Sequence, residues 1–494
     1  MGSLSNKAGL LIVANGLKYA IGFILPMVLV RLLSQEDYGT YQQLSLVSSA
    51  ATGILVLGLP TSIYYFYHRA THAQDGRATL IAQTQVMLLL SGIMTAVLIV
   101  LMAGRIADHM NNSALRGLLP TYAIYVGFFI AGEHFMHVMI SQNRYGLAVG
   151  LEAVETVFRV TLMVGLLAMG FGLPALVGAL VVYAVLRLVG RSYWLWHGPD
   201  SVKGARWTGR FPAEQLAYSL PLAATTCIGL LGGLLDRAIV ALSFTTVDYA
   251  IYTVGALEIP LDVIFQSSVL NVLRASLPAL VQEGNIAEVI RIWRESVRKL
   301  ALIVIPSLVF LSFNAGLFIT VLFTSQYAES VNVFHVYLGL LPLHMLVLSV
   351  VPQVYGRTRL NLYVVAIAVG TNTLLSLLLL RWIGILGPAV ALVVSSYLGS
   401  SLYLVVTMRL LKAKASQLLP VVPILRTLAA STAALAPAAL AASFGGHTLL
   451  GLALGGAGFG VGYLVFGLLF RAFTDTDVAL ARRLLNTLAG KLRG

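Results

Sequence analysis

Charged residues are scarce in this sequence. Of its 494 residues, 10% are Asp, Glu, Lys or Arg, whereas 58% are hydrophobic. Soluble globular proteins are about 25% charged, and this shortage of charge therefore excludes a soluble protein of this length. A helix needs about 20 apolar residues to cross a bilayer. The composition thus leaves room for many spans and little room for a soluble domain.

Cysteine is almost absent, since Cys227 is the single one in the chain and lies in an apolar run. One cysteine excludes a disulfide within the chain and argues against a cysteine-based metal site. We predict no metal site and no cofactor.

Acidic residues are fewer than basic ones, with 19 Asp and Glu against 32 Lys and Arg. In a soluble protein, such an excess of positive charge would suggest a nucleic-acid partner. In membrane proteins, however, basic residues gather in cytoplasmic loops. With the N-terminus inside, the basic residues between apolar runs fall mostly on the cytoplasmic side, and the outer side takes only Arg31, Arg105, Arg116 and Arg381. We predict no nucleic-acid partner and two cytoplasmic termini.

Apolar runs of spanning length recur along the whole chain. We expect each to be a helix, because lipid offers no partner to an unpaired backbone group. The fourteen predicted spans are 8–32, 41–66, 80–103, 117–140, 146–169, 173–195, 214–242, 249–275, 299–323, 331–354, 361–382, 385–408, 422–443 and 449–471.

Two segments outside these spans are amphipathic. Residues 286–300 place apolar side chains on one face and basic side chains on the other, and residues 474–493 show a similar pattern. A helix of this kind lies flat on an anionic leaflet. We predict that both segments are structural anchors on the inner leaflet.

A weak internal repeat relates the two halves of the chain. Three motifs recur in the same order at corresponding spans: Asp37-Tyr38 with Asp248-Tyr249, residues 117–120 with 339–342, and residues 172–175 with 387–389. Two halves that start on the same side of the membrane are parallel repeats, an arrangement suited to rocking around a central site. The predicted fold is an all-α integral membrane protein of about 14 transmembrane helices, with two six-helix lobes around a central cavity and two extra C-terminal helices. The predicted domains are an N-terminal lobe over 1–210, a C-terminal lobe over 211–412, the extra spans within 413–471 and a cytoplasmic tail over 472–494.

Short motifs along nearly the whole chain resemble the polysaccharide transporter family, the Wzx-like oligosaccharide flippases of the MOP superfamily. They are residues 30–41, residues 235–240 with 248–252, residues 277–280, and residues 356–359 with Asn372 and 387–389. One departure is Ala250, where that family usually has glycine.

The resemblance implies a bacterial inner-membrane transporter that is not an enzyme. It implies transfer of a polyprenyl-pyrophosphate-linked oligosaccharide from the cytoplasmic to the outer leaflet by alternating access, for exopolysaccharide, capsule or O-antigen biosynthesis. The implied partners are the lipid-linked glycan, membrane lipids and a polysaccharide polymerase.

Charges inside apolar spans are the candidate site residues, because an ionised side chain in hydrocarbon is costly and tends to be functional. Arginine suits a pyrophosphate because its planar fork binds two oxygens, while lysine acts as a point charge. The predicted substrate-binding residues are Lys18, Arg31, Asp236, Arg237 and Arg274.

Three acidic residues are candidates for ion coupling. Glu258 and Asp262 are four apart, which places two like charges on one helix face, where either they meet a cation or one of them is protonated. Glu133, with His137 one turn on, is the third. The chain has no Gly-x-x-x-x-Gly-Lys-Ser/Thr loop for ATP phosphates. We therefore expect the membrane potential, Na+ or H+ to drive transport. Alternatively, consumption of the glycan on the outer side shifts the transport equilibrium outward.

Three alternative functions remain open from the sequence. A lipid II flippase also has fourteen spans. An ion-coupled multidrug exporter of the same superfamily typically has an acidic residue in its first helix, where this chain has Lys18. A membrane glycan polymerase or ligase usually has a large outer loop, whereas every predicted outer loop here is short.

Overall fold

The computed structural model of the chain describes residues 4–70, 74–205 and 210–479. Within these ranges every regular element is a helix. The first eleven are α1 (Leu4–Leu32), α2 (Gln35–Leu55), α3 (Leu59–Arg69), α4 (Gln74–His109), α5 (Ala114–Ala131), α6 (Phe135–Ser141), α7 (Tyr145–Ala168), α8 (Leu173–His197), α9 (Arg210–Ser243), α10 (Thr246–Gly255) and α11 (Pro260–Gln282).

Single 3₁₀ turns lie at Val202–Gly204, between α8 and α9, and at Ser325–Tyr327. The C-terminal half continues with ten more helices. They are α12 (Ile286–Phe323), α13 (Ser330–Leu338), α14 (Leu341–His344), α15 (Val350–Val354), α16 (Thr358–Ile383), α17 (Leu386–Leu411), α18 (Ala415–Leu418), α19 (Val421–Ala433), α20 (Leu435–Ser443) and α21 (Leu449–Leu469).

The predicted fold class is confirmed. In the described part of the chain, 10 helical segments are long and apolar enough to cross a membrane, and the protein is an all-helical multi-pass membrane protein. Helices also occupy the four other predicted spans, as α1, α7, α9 and the short helices α13–α15. The count of fourteen spans stays a prediction.

The chain divides into two compact units. Unit 1 comprises Met1–Val254 and Val369–Leu392, and unit 2 comprises Gly255–Ala368 and Val393–Gly494. Helices α16 and α17 each contribute to both units. The lobe boundaries that we inferred from the repeat stay a prediction.

In unit 1 the first repeat motif builds the same local structure twice. Ser34 caps α2 by accepting a hydrogen bond from the Asp37 N–H (3.0 Å), and its hydroxyl donates to the Asp37 carboxylate. Thr245 and Asp248 make the equivalent pair of bonds at the start of α10. Such caps satisfy N–H groups that have no partner inside the helix.

These two caps also meet each other. Gly39 of α2 lies against Thr246 of α10, and a Cβ at this glycine would overlap the Thr246 carbonyl oxygen. Tyr38 and Tyr249, the matching tyrosines of the repeat, are both buried. A glycine is needed here because the two backbones approach closely.

The core of unit 2 corrects the prediction for residues 286–300. These residues are the first turns of α12, which runs without a break to Phe323. Their apolar face, including Val289, Trp293 and Val297, is buried against Leu273, Leu277 and other side chains of unit 2 rather than in lipid. An amphipathic pattern shows which face is covered, but the sequence does not show whether protein or lipid covers it.

The C-terminal tail is described only as far as residue 479. Thr474 caps its first turn, and Arg298 of α12 donates to both carboxylate oxygens of Asp477, at 2.6 and 2.9 Å. Burial alone would raise the pKa of Asp477, but the hydrogen bonds from Arg298 and Thr474 hold this pKa well below its usual range. The predicted inner-leaflet anchor over the rest of the tail lies outside the described residues.

Candidate functional site

Two buried arginines of α8 bind two partly buried carboxylates in unit 1. Arg187 donates to Glu133 at 2.7 Å and lies 3.5 Å from Glu155. Arg191 binds both oxygens of Glu155, at 2.9 and 2.6 Å. Both arginines are buried. Two guanidinium groups thus face two carboxylates, and their charges compensate each other.

The same arginines also donate hydrogen bonds to backbone carbonyls at the turn between α5 and α6. Arg187 donates to the Phe129 carbonyl at 3.0 Å and Arg191 donates to the Gly132 carbonyl at 2.8 Å. A Cβ at Gly132 would lie 3.3 Å from Nη1 of Arg187, so the glycine makes room for the guanidinium group. A helix break at membrane depth needs such partners, because lipid supplies none.

The pairing in this group is not the one that spacing along a helix favours. Residues four apart share a helix face, but Glu155 forms ion pairs with Arg187 and Arg191 of α8, whereas Arg159, four residues after Glu155 on α7, lies 6.0 Å from the Tyr183 ring. Glu133, a predicted coupling residue, is held by Arg187. Neither Arg187 nor Arg191 is among the candidate residues predicted from the sequence. The available signal was their spacing, because residues four apart on α8 share a face.

Asp236 and Arg237 lie near the C-terminal end of α9. The Asp236 carboxylate is 1% exposed and accepts a hydrogen bond from the Tyr252 hydroxyl at 2.9 Å. Arg237 is half-buried. The repeat motif on α10 therefore positions one of the predicted substrate-binding residues.

In unit 2 the predicted span 249–275 is interrupted. Helix α10 ends at Gly255 and α11 begins at Pro260, so Glu258 lies in the break and is exposed. Asp262 lies in the first turn of α11 and is completely buried.

The Asp262 carboxylate is poorly compensated. Within the described ranges, neither of its oxygens accepts a hydrogen bond of good geometry. Its polar neighbour is Ser307 of α12, whose hydroxyl donates to the Ile303 carbonyl one turn back. His344 lies within reach of the charge of Glu258. Glu258 and Asp262 therefore have different environments, contrary to the single shared face that their spacing predicts.

The other candidate residues lie apart from these groups. The Arg31 guanidinium donates to the Met27 carbonyl in the last turn of α1, and Arg274 is exposed on α11. Lys18 belongs to α1, but its side chain lies outside the described part of the structure. Among the described residues, no group of three or more His, Cys, Asp or Glu could hold a metal ion.

Comparison with solved structures identifies the fold. The chain superposes on the lipid II flippase MurJ in an inward closed conformation with a TM-score of 0.70 and 12% identity, over 93% of this chain and 98% of MurJ. An inward-facing multidrug resistance MATE transporter of the MOP superfamily gives a TM-score of 0.60 and 14% identity, over 83% of this chain and 96% of that one. A MATE transporter of Vibrio cholerae gives 0.54 and 12%, over 84% and 100%.

Sequence comparison identifies the family. No curated protein is significantly similar to the chain in sequence. The family model described as "polysaccharide biosynthesis protein" matches residues 28–332, which is more than half of the chain. The chain therefore belongs to the polysaccharide biosynthesis protein family and has the fold of the MOP-superfamily transporters.

Proposed function

We propose that the protein flips a polyprenyl-pyrophosphate-linked oligosaccharide from the cytoplasmic to the outer leaflet for polysaccharide biosynthesis. The observation that carries the proposal is the family match over residues 28–332 in a chain of which 93% superposes on a flippase. The resemblance of the motifs between residues 30 and 389 supports the same cargo.

The physical task explains why cations inside the spans matter. A diphosphate headgroup must cross about 30 Å of hydrocarbon, and guanidinium and ammonium groups along its path lower the electrostatic cost. Lys18, Arg31, Arg237 and Arg274 are the proposed cationic contacts, with Asp236 orienting its neighbours. The lipid tail stays in the bilayer throughout.

Asp262 is the proposed coupling residue. A charged carboxylate without hydrogen bonds is costly to bury, so Asp262 gains from binding a proton or a cation such as Na+. Discontinuous helices are the usual place for coupling sites in secondary transporters, and Asp262 lies just after such a break. Glu258, exposed in the same break, is the proposed entry group for the ion.

Two alternative cargoes follow from the structural comparisons. The similarity to MurJ supports lipid II, and the similarity to the MATE transporters supports an organic cation. Both retain the transporter fold and the coupling role of Asp262.

One genetic experiment separates the three cargoes. We expect deletion of the gene to abolish a surface polysaccharide and to accumulate its lipid-linked oligosaccharide in the inner leaflet. Accumulation of lipid II with lysis would assign peptidoglycan synthesis instead. Unchanged glycan combined with hypersensitivity to organic cations would assign drug export. Complementation with the intact gene is the control.

A further inference from the structure

Unit 2 contains a basic cavity at one end of helices α16 and α17, remote in sequence from the candidate site residues. Its volume is about 540 Å³. Its walls combine three arginines with apolar side chains: Arg357, Arg359, Arg409, Leu360, Val406 and Leu410. We call these six residues the arginine cavity.

The local fold explains how two of the arginines reach this position. Gly356 follows α15 with φ of 67°, the left-handed conformation that favours glycine. The Gly356 N–H donates to the Gln353 carbonyl and the Arg357 N–H donates to the Pro352 carbonyl, at 3.0 and 2.8 Å. This pair of bonds is a Schellman turn. It ends α15 and places Arg357 and Arg359 at the start of α16.

The third arginine arrives from the opposite direction. Arg409 lies in the last turn of α17. Helix α17 follows α16 after a short turn. The cavity therefore lies between the beginning of α16 and the end of α17. Both helices are long and apolar enough to span a membrane, which places the cavity at a boundary between hydrocarbon and water. The distribution of basic residues predicts that this boundary is the cytoplasmic one.

Among the residues that the structure describes, the three guanidinium groups have no compensating partner. Within the described ranges, none of them makes a hydrogen bond or ion pair with another residue, and all three are exposed. This contrasts with Arg187 and Arg191, which bind carboxylates directly. Two of the three also lie at the positive end of a helix dipole, where a cation is unfavourable and an anion is stabilised. An anionic ligand would relieve this repulsion.

The apolar part of the cavity narrows the class of ligand. Leu360, Val406 and Leu410 lie on the same two helices as the arginines, one turn or less away in sequence. A soluble phosphate would gain nothing from these side chains, whereas a phospholipid would place its phosphate on the arginines and its acyl chains along the helices. Basic pockets between transmembrane helices on the cytoplasmic side bind lipid headgroups in this way.

We propose that the arginine cavity binds the phosphate headgroup of an anionic phospholipid from the surrounding bilayer. Three arginines without carboxylate partners favour a headgroup with a net negative charge over a zwitterionic one. This site would be a lipid-binding site of unit 2, whichever cargo the protein carries.

The test compares two arginines in equivalent positions. Arg409 and Arg381 each lie in the last turn of an apolar helix and are exposed, but only Arg409 lines the cavity. The purified full-length protein in detergent is titrated with phosphatidylglycerol, phosphatidylcholine or inorganic diphosphate. Bound ligand is counted by native mass spectrometry, and the shift in Tm is measured in parallel.

We expect phosphatidylglycerol to bind and raise the Tm, with little effect of phosphatidylcholine. Arg409→Ala should weaken this binding by about 5-fold, and the triple variant Arg357→Ala, Arg359→Ala, Arg409→Ala by about 100-fold. Arg381→Ala should bind as the unmodified protein does. If the triple variant does not fold, Arg409→Ala is compared with Arg409→Lys. The lysine keeps the positive charge and should restore binding of phosphatidylglycerol.

Three results would overturn the proposal. The first is equal binding of phosphatidylglycerol and phosphatidylcholine. The second is equal weakening by Arg409→Ala and Arg381→Ala, which would indicate general surface charge. The third is binding of inorganic diphosphate as strong as that of phosphatidylglycerol and lost in the triple variant, which would assign the cavity to a free or cargo diphosphate.

Discussion

The two compact units differ in how the charged side chains at their interrupted helices are paired. In unit 1, Arg187 and Arg191 face Glu133 and Glu155 and also bind backbone carbonyls beside the break between α5 and α6. In unit 2, Asp262 lies beside the break before α11 without such compensation among the described residues. Both units thus have charged side chains at an interrupted helix. Among the described residues, those of unit 1 are compensated by opposite charges, whereas Asp262 of unit 2 is not.

This difference distinguishes a structural role from a functional one. A compensated group of charges holds an irregular backbone in place and has no capacity left for a ligand. A buried carboxylate that is poorly compensated costs free energy while it is ionised, and that cost is recovered when it binds a proton or a cation. The same distinction holds for the arginines, since those of α8 are paired, whereas those of the arginine cavity have no partner in the described part of the chain.

The largest effect should follow from removing one partner of the compensated group. Arg187→Ala leaves Glu133 without its guanidinium partner and leaves the Phe129 carbonyl with only the Gly132 N–H as its donor, at 3.3 Å. Breaking a buried ion pair from one side costs about 3–5 kcal/mol. We expect a marked fall of the Tm of the purified protein, measured in detergent.

Arg159→Ala is the control for this variant. Arg159 belongs to the same region, but its guanidinium group lies over the Tyr183 ring, 6.0 Å from the ring centroid. Its loss should change the Tm much less. Equal effects of the two substitutions would contradict the structural role that we assign to the α8 arginines.

The sequence predicted the fold well and the charge pairing poorly. Apolar runs report helices directly, because only helices and closed barrels satisfy the backbone in lipid. The pairing of Glu155 with Arg191 depends on how α7 and α8 are packed, which single-helix spacing does not report. The same limitation explains residues 286–300, whose apolar face was assigned to lipid and lies instead against Leu273 and Leu277.

An intermediate effect should follow from breaking the compensated pair of unit 2. Asp477→Asn removes the charge that Arg298 binds with two hydrogen bonds, and hydrogen bonds to charged groups contribute about 2 kcal/mol. We expect a lower Tm at pH 7. Because folding lowers the pKa of Asp477, its stabilisation is fully present above the unfolded pKa of about 3.9 and is lost as the pH falls below that value.

The first control for Asp477→Asn is the pH dependence of its effect on the Tm. The difference in Tm between the variant and the unmodified protein should be constant from pH 8 to about pH 5 and should narrow below about pH 4. Asp475, two residues earlier and exposed, supplies a matched substitution, Asp475→Asn, which should leave the Tm unchanged. A difference that does not depend on pH would argue against the ion pair as its source.

The smallest effect on stability, and the sharpest contrast with Arg187, should come from Asp262→Asn. The amide has nearly the shape of the carboxylate and carries no charge to bury, so we expect a Tm that is unchanged or slightly raised. Loss of the coupling group should nevertheless reduce surface glycan about 10-fold or more, with the protein still present in the membrane. Glu258→Gln, which removes an exposed charge from the same break, should reduce glycan less. Normal glycan in Asp262→Asn, or a fall of its Tm comparable to that of Arg187→Ala, would show that the uncompensated carboxylate has a structural role after all.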